Sequence, residues 1–335
     1  MTLWVIAGIV GAAIIAALAV RLAIATNGPA VLNTVDRITG GAQGAAKLAE
    51  ISTGDHAQQK LIVWGPHSAN APETQHPVLI FVHGGSWANG DPADYGFIAR
   101  AFVPEGFVVV LAGYRLGHEG RYPAMLDDTA AAIAWTHGNI AEFGGDPNRI
   151  VVAGHSAGAY NVVQTALEDQ WLARRGLERG IISGVIGLSG PYDFAPFISP
   201  STIATFGHVD DPAATQPITH VRADAPHMLL VHGSDDTLVR PRNSAVFADA
   251  LNAAGGHALY SPMAGMEHNT PLIHHAAPWR RNAKMIEMTA GFAHAVLQPG
   301  NAPQTAPDNG LQSGPPPASQ PNSEETSVSV QVETG

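Results

Sequence analysis

The chain has 335 residues, enough for one large domain or two small ones, and 45% hydrophobic against 13% charged residues allow a sizeable core. A formal net charge of −11, with no basic cluster along the chain, argues against nucleic acid as a partner. The lack of cysteine excludes disulfides, thiolate metal sites and a cysteine nucleophile.

Residues 3–20 are an uncharged apolar run, about 27 Å long as a helix and close to the roughly 30 Å of a bilayer core, with Arg21 placed to snorkel. Segment 1–25 is therefore read as a single-pass transmembrane anchor. The competing reading is a secretory signal cleaved at Ala23-Ile24-Ala25, which would leave the remainder periplasmic or secreted. Against it, Met1-Thr2 carries no basic residue and Arg21 falls where a signal stays apolar. Arg21, Arg37 and Lys47 all follow the run, so the positive-inside rule puts the rest of the chain in the cytoplasm. Residues 26–49 read as a small-residue linker with some helical character.

Between 50 and 298, short β-rich runs alternate with helical patterns. Strands are predicted at 60–64, 78–82, 108–112, 150–153, 184–188, 228–231 and 258–261, and helices at 95–102, 125–141, 157–169, 243–254 and 278–297. This alternation implies an α/β domain with a mostly parallel sheet covered on both faces, and the near-continuous apolar strands agree. Active sites of such sheets lie at the carboxyl ends of the strands. The tail, 299–335, is rich in Pro, Gln, Asn and Ser and holds Asp308, Glu324, Glu325 and Glu333 without a Lys or Arg. It cannot bury enough surface to offset its ordering entropy and is read as disordered.

Four motifs fall at predicted strand ends. Gly154-His155-Ser156-Ala157-Gly158 follows an apolar strand and precedes a helix, the G-x-S-x-G pattern that holds a serine in a strained turn with its hydroxyl above the sheet. A serine hydroxyl needs an imidazole to take its proton and a carboxylate to orient that imidazole. The stretch His232-Gly233-Ser234-Asp235-Asp236 supplies the acid, with Asp236 preferred over Asp235. Gly265-Met266-Glu267-His268-Asn269 supplies the base, with His274 and His275 as the nearest competitors for His268. Upstream, in His83-Gly84-Gly85-Ser86-Trp87, the N–H groups of Gly84 and Gly85 join that of Ala157 as candidate oxyanion donors. No metal cluster, phosphate loop or cofactor motif is found.

With Tyr114-Arg115-Leu116 and Asp146-Pro147-Asn148-Arg149-Ile150, these motifs make residues 47–298 resemble an α/β-hydrolase-fold carboxylesterase. The resemblance is to the group with an H-G-G-x-W motif, which includes hormone-sensitive-lipase-like, kynurenine formamidase-like and prenylcysteine methylesterase-like proteins. It implies the α/β-hydrolase fold and a triad of Ser156, Asp236 and His268 acting on a small-molecule ester, or on an amide or formamide by the same machinery. Ser86 stands where many lipase-like members have a third glycine, which leans toward the small-esterase and formamidase branch. The segment 191–225 is expected to cover the pocket, with Trp87, Phe194 and Phe197 binding substrate. A membrane-tethered binding module that had lost catalysis would be expected to lack at least one of these groups, and all are present.

Overall fold

The computed structural model describes residues 22–24, 26–41, 44–67, 75–282 and 284–298. The apolar run at 3–20 and the tail at 299–335 lie outside the described residues, and among those described no helix is long and apolar enough to cross a membrane.

Eight strands form one sheet: β1 (Ala45–Ser52), β2 (Lys60–Pro66), β3 (His76–Val82), β4 (Val108–Ala112), β5 (Gly145–His155), β6 (Ile182–Leu188), β7 (His227–Gly233) and β8 (Ala258–Met263). Their spatial order is β1-β2-β4-β3-β5-β6-β7-β8. β2 runs antiparallel to both β1 and β4, and every other pairing is parallel. The expected mostly parallel sheet is therefore present.

Alternation along the strands divides the core. Val78, Ile80 and Val82 of β3 face one layer and Leu79 and Phe81 face the other, and all five are buried. The first layer is closed by α3 (Ala124–Asn139), α4 (Ala157–Leu167), α5 (Asp169–Ala173) and α7 (Arg242–Ala253). The second is closed by α2 (Gly96–Phe102), α8 (Thr270–Ile273) and α9 (Lys284–Val296). With about 1.5–3 kcal/mol for each large apolar side chain withdrawn from water, two continuous cores make the sheet a rigid platform.

Two segments differ from the sequence expectation. The presumed linker is part of the domain: β1 pairs with β2 from Ala45 to Ser52, and a helix α1 over 26–36 carries Leu32 into the second core layer. Asp36, at the end of α1, is fully buried and accepts hydrogen bonds from Arg100 Nε of α2 at 2.5 Å and from the Ala277 N–H at 2.7 Å. The second segment is the cover over the site. It contains a short helix, α6 (Pro200–Phe206), started by a reciprocal cap in which Ser199 Oγ accepts from Thr202 N–H and Thr202 Oγ1 accepts from Ser199 N–H, each at 3.2 Å.

Candidate active site

β5 ends at His155, and the next residue, Ser156, has φ 53° and ψ −119° before α4 begins at Ala157. A non-glycine residue held there stores on the order of 1–3 kcal/mol of strain. Fixed bonds on both sides hold it: Ser156 N–H donates to Leu188 O at 2.8 Å, and Ser156 O accepts the first helical bond from Tyr160 N–H at 3.1 Å. The turn also needs its flanking glycine, because a Cβ on Gly158 would stand 2.1 Å from Val82 O of β3.

Two later strand ends bring an acid and an imidazole to this serine. His268 Nε2 lies 2.9 Å from Ser156 Oγ, and His268 Nδ1 lies 2.7 Å from Asp236 Oδ2. In the matching tautomer Nδ1–H donates to the carboxylate and Nε2 accepts the serine proton. All three residues are buried. Burial by itself would raise the Asp236 carboxyl, but hydrogen bonds from His232 and His268, the charge of His268 and the Val239 N–H outweigh it and hold the group well below the usual carboxylate range. Asp236 Oδ1 accepts from the Leu238 and Val239 N–H groups, both at 2.9 Å, so both oxygens are engaged.

The competing residues are turned elsewhere. Asp235 is exposed and accepts from its neighbour Ser234 Oγ at 2.8 Å. His275 is buried with Nδ1 on Pro271 O and Nε2 on Thr289 Oγ1, and it stacks on Phe102 in the second core layer. His274 is half-buried, and burial lowers its pKa.

Two histidines that the sequence reading did not single out complete the network. His232, fully buried, donates from Nε2 to Val239 O at 2.8 Å and to Asp236 Oδ2 at 3.1 Å, while its Nδ1 lies 2.7 Å from Ser244 Oγ of α7. His155 reaches the main chain of His268, with Nε2 at 3.1 Å from His268 O. Burial, reinforced by the neighbouring His268, lowers its pKa to about 3 and keeps it neutral. His155 sits at the variable position of G-x-S-x-G, and a motif that leaves a position open carries no signal for its role.

The His83–Trp87 turn approaches from the end of β3. Three consecutive residues take positive φ: Gly85 at 120°, Ser86 at 55° and Trp87 at 56°. Gly85 has no alternative, since a Cβ there would stand 1.9 Å from Asn89 O. Ala157 occupies the first position of α4, where a backbone N–H has no intrahelical acceptor. Of the residues in this turn, Ser86 and Trp87 line the cleft.

A cleft of about 440 Å³ opens over Ser156. Trp87 and Phe194 line it, their rings stacked at 6.2 Å. Phe197 does not. It turns inward and stacks on the buried Phe206 at 5.4 Å, leaving the neighbouring Ile198 on the cleft. Trp87 is fixed by a bond from Nε1 to Asn161 Oδ1 at 3.1 Å and by edge contacts with Tyr160 and Phe206.

The comparisons with known proteins point to esterases. The BD-FAE family model matches residues 67–251, over half of the chain. The esterase LipC of Mycobacterium tuberculosis is 31% identical over 243 residues, covering 66% of this chain and 59% of that protein. A probable isoprenylcysteine alpha-carbonyl methylesterase of Arabidopsis thaliana is 30% identical over 223 residues, covering 60% of this chain and 52% of that protein. The chain thus spans little more than half the length of these curated relatives. Among solved structures, Thermogutta terrifontis esterase 2 with bound butyrate matches with a TM-score of 0.61 at 22% identity, covering 78% of this chain and 97% of that one. A truncated carbohydrate esterase from gut microbiota matches with a TM-score of 0.63 at 19% identity, covering 76% and 99%. At these identities the structural matches show the shared fold. The chain belongs to the BD-FAE family, among the α/β-hydrolase-fold carboxylesterases its motifs resemble.

Proposed function

We propose that this protein hydrolyses small carboxylic esters through an acyl-serine intermediate. The observation that carries the reading is the continuous chain from Ser156 Oγ to His268 Nε2 at 2.9 Å and from His268 Nδ1 to Asp236 Oδ2 at 2.7 Å, opening on a cleft. Ser156 Oγ attacks the ester carbonyl as His268 takes its proton, and Asp236 holds the imidazole in the required tautomer and offsets its positive charge. The oxyanion is met by the N–H groups of Ala157 and Gly85, with Ser86 in the place first expected of Gly84. His268 then gives its proton to the departing alkoxide. Water, deprotonated by the same imidazole, cleaves the acyl-serine to release the acid and restore the hydroxyl.

The test is hydrolysis of 4-nitrophenyl butyrate by the wild-type protein and by Ser156→Ala. Removing the nucleophile of such a triad costs on the order of 10⁶ in kcat. Activity in the wild type and none above background in Ser156→Ala is the expected result, and equal activity in both would overturn the reading.

A further inference from the structure

The walls of the cleft differ in character. Trp87, Phe194 and Ile198 supply an apolar side, whereas the loop joining β7 to α7 presents Arg240 and the start of α7 presents Arg242. The chain carries 28 acidic against 17 basic residues, yet this cleft has two arginines and one lining acid, Asp193. Arg242 is already paired, its Nη2 lying 2.8 Å from Asp193 Oδ2. The Arg240 guanidinium is exposed and has no hydrogen-bond or ion-pair partner among the described residues.

Its backbone, by contrast, is tightly set. Asn243 donates to Arg240 O from its N–H at 2.9 Å and from Nδ2 at 3.2 Å. One residue earlier, Val239 is bound through its N–H to Asp236 and through its carbonyl to His232. The guanidinium is thus a free, planar fork of donors on a stem whose root is fixed relative to the triad. Such a fork matches a carboxylate in shape and charge.

We propose that Arg240 is a specificity residue that binds an anionic group of the substrate, a carboxylate above all. Preferred esters then carry a negative charge a few bonds from the scissile carbonyl. The proposal rests on the esterase reading above and names the substrate class for that site. An exposed pair is screened by solvent, so the expected preference is modest, about fivefold in kcat/KM.

Two matched pairs of esters test it and locate the charge. 4-Nitrophenyl hemisuccinate against 4-nitrophenyl butyrate places the carboxylate on the acyl half, and carboxymethyl butyrate against ethyl butyrate places it on the alcohol half. In at least one pair the anionic-to-neutral ratio of kcat/KM is expected to fall about fivefold in Arg240→Ala and further in Arg240→Glu. Arg240→Lys is expected to keep most of the preference, with its loss in KM rather than kcat. Ratios that are the same in wild type, Arg240→Ala and Arg240→Glu for both pairs, in active enzymes, overturn this proposal alone. Failure of the wild type to cleave any of the four esters overturns the esterase reading and this proposal with it.

Discussion

Asp36 and Asp236 are both buried carboxylates, yet their partners give them different work. Asp236 is held by two imidazoles and two backbone N–H groups, and one of those imidazoles, His268, touches Ser156 on the cleft. Asp36 is held by the guanidinium of Arg100 and the Ala277 N–H, with Arg280 at 3.8 Å. A guanidinium does not give up its proton in a protein, so the Asp36 cluster can only tie segments together. An imidazole exchanges its proton near neutral pH, so a carboxylate bonded to it can steer a proton transfer. Burial makes a carboxylate important, and the acidity of its partner decides for what.

Replacing each aspartate by asparagine breaks this comparison if it is mistaken. Asp236→Asn offers Nδ1 of His268 a donor in place of an acceptor and favours the wrong tautomer, for a loss of about 10⁴ in kcat. Asp36→Asn leaves Arg100 buried without its counter-charge and is expected to destabilise the fold by roughly 3–5 kcal/mol. Its kcat per folded molecule is expected to stay within about twofold of wild type. Steady-state kinetics and urea unfolding of both variants separate the two roles. A large kcat loss in folded Asp36→Asn would show that the two clusters are coupled.

The two clusters also differed in how far the sequence disclosed them. Ser156, Asp236 and His268 each follow a short apolar run, so local patterning and strand order suffice to nominate them. Asp36 sits in a stretch of small residues, and its partners Arg100 and Ala277 lie 64 and 241 residues away, a relation no window of sequence contains. β1 escaped for another reason: Ala45–Ser52 is rich in Ala, Lys and Glu, poor strand formers, and becomes a strand because β2 offers it an edge. In the cover segment, Phe197 packs on Phe206 while its neighbour Ile198 lines the cleft, because outside regular structure no periodicity says which neighbour points inward. In the His83–Trp87 turn the residue on the cleft beside Trp87 is Ser86, two positions after Gly84, where three successive positive φ values turn the chain in a way the motif does not spell out.

Acid should sharpen the comparison next. His83, stacked on Tyr114, His155, next to Ser156 in the chain, and His275, whose carbonyl accepts from Arg280 at 3.2 Å, are all buried. Burial lowers their pKa values to about 4, 3 and 4 respectively. A group whose folded pKa is depressed stabilises the fold above its unfolded pKa, about 6.5 for histidine, and loses that contribution as the pH falls toward the folded value. Each of the three is therefore expected to cost about 2 kcal/mol at pH 5 relative to pH 7, roughly 6 kcal/mol together. Asp236 is depressed from an unfolded value near 3.9, so its contribution is lost only below about pH 4. Urea unfolding at pH 7, 6 and 5 measures the first window, and a flat stability across it would show that these histidines are not held neutral.

The smallest effect is expected at His232, which acts on the reaction only through Asp236. Both of its hydrogen-bonded neighbours on Nε2 are acceptors, so that nitrogen carries the proton and takes a share of the Asp236 charge. In His232→Phe that share falls to His268, whose protonated form is then held more firmly. The acid limb of the kcat/KM profile should move to higher pH, and kcat should fall by about tenfold to a hundredfold as the carboxylate loses one of its four donors. A role in packing alone would lower stability without moving the limb. His232→Gln retains a side-chain donor and is expected to return the limb toward its wild-type position, because a neutral amide N–H can replace the imidazole as a donor to Asp236 Oδ2. If both variants lose activity with the limb unmoved, His232 supports the fold and Asp236 holds its orientation through the Leu238 and Val239 N–H groups alone.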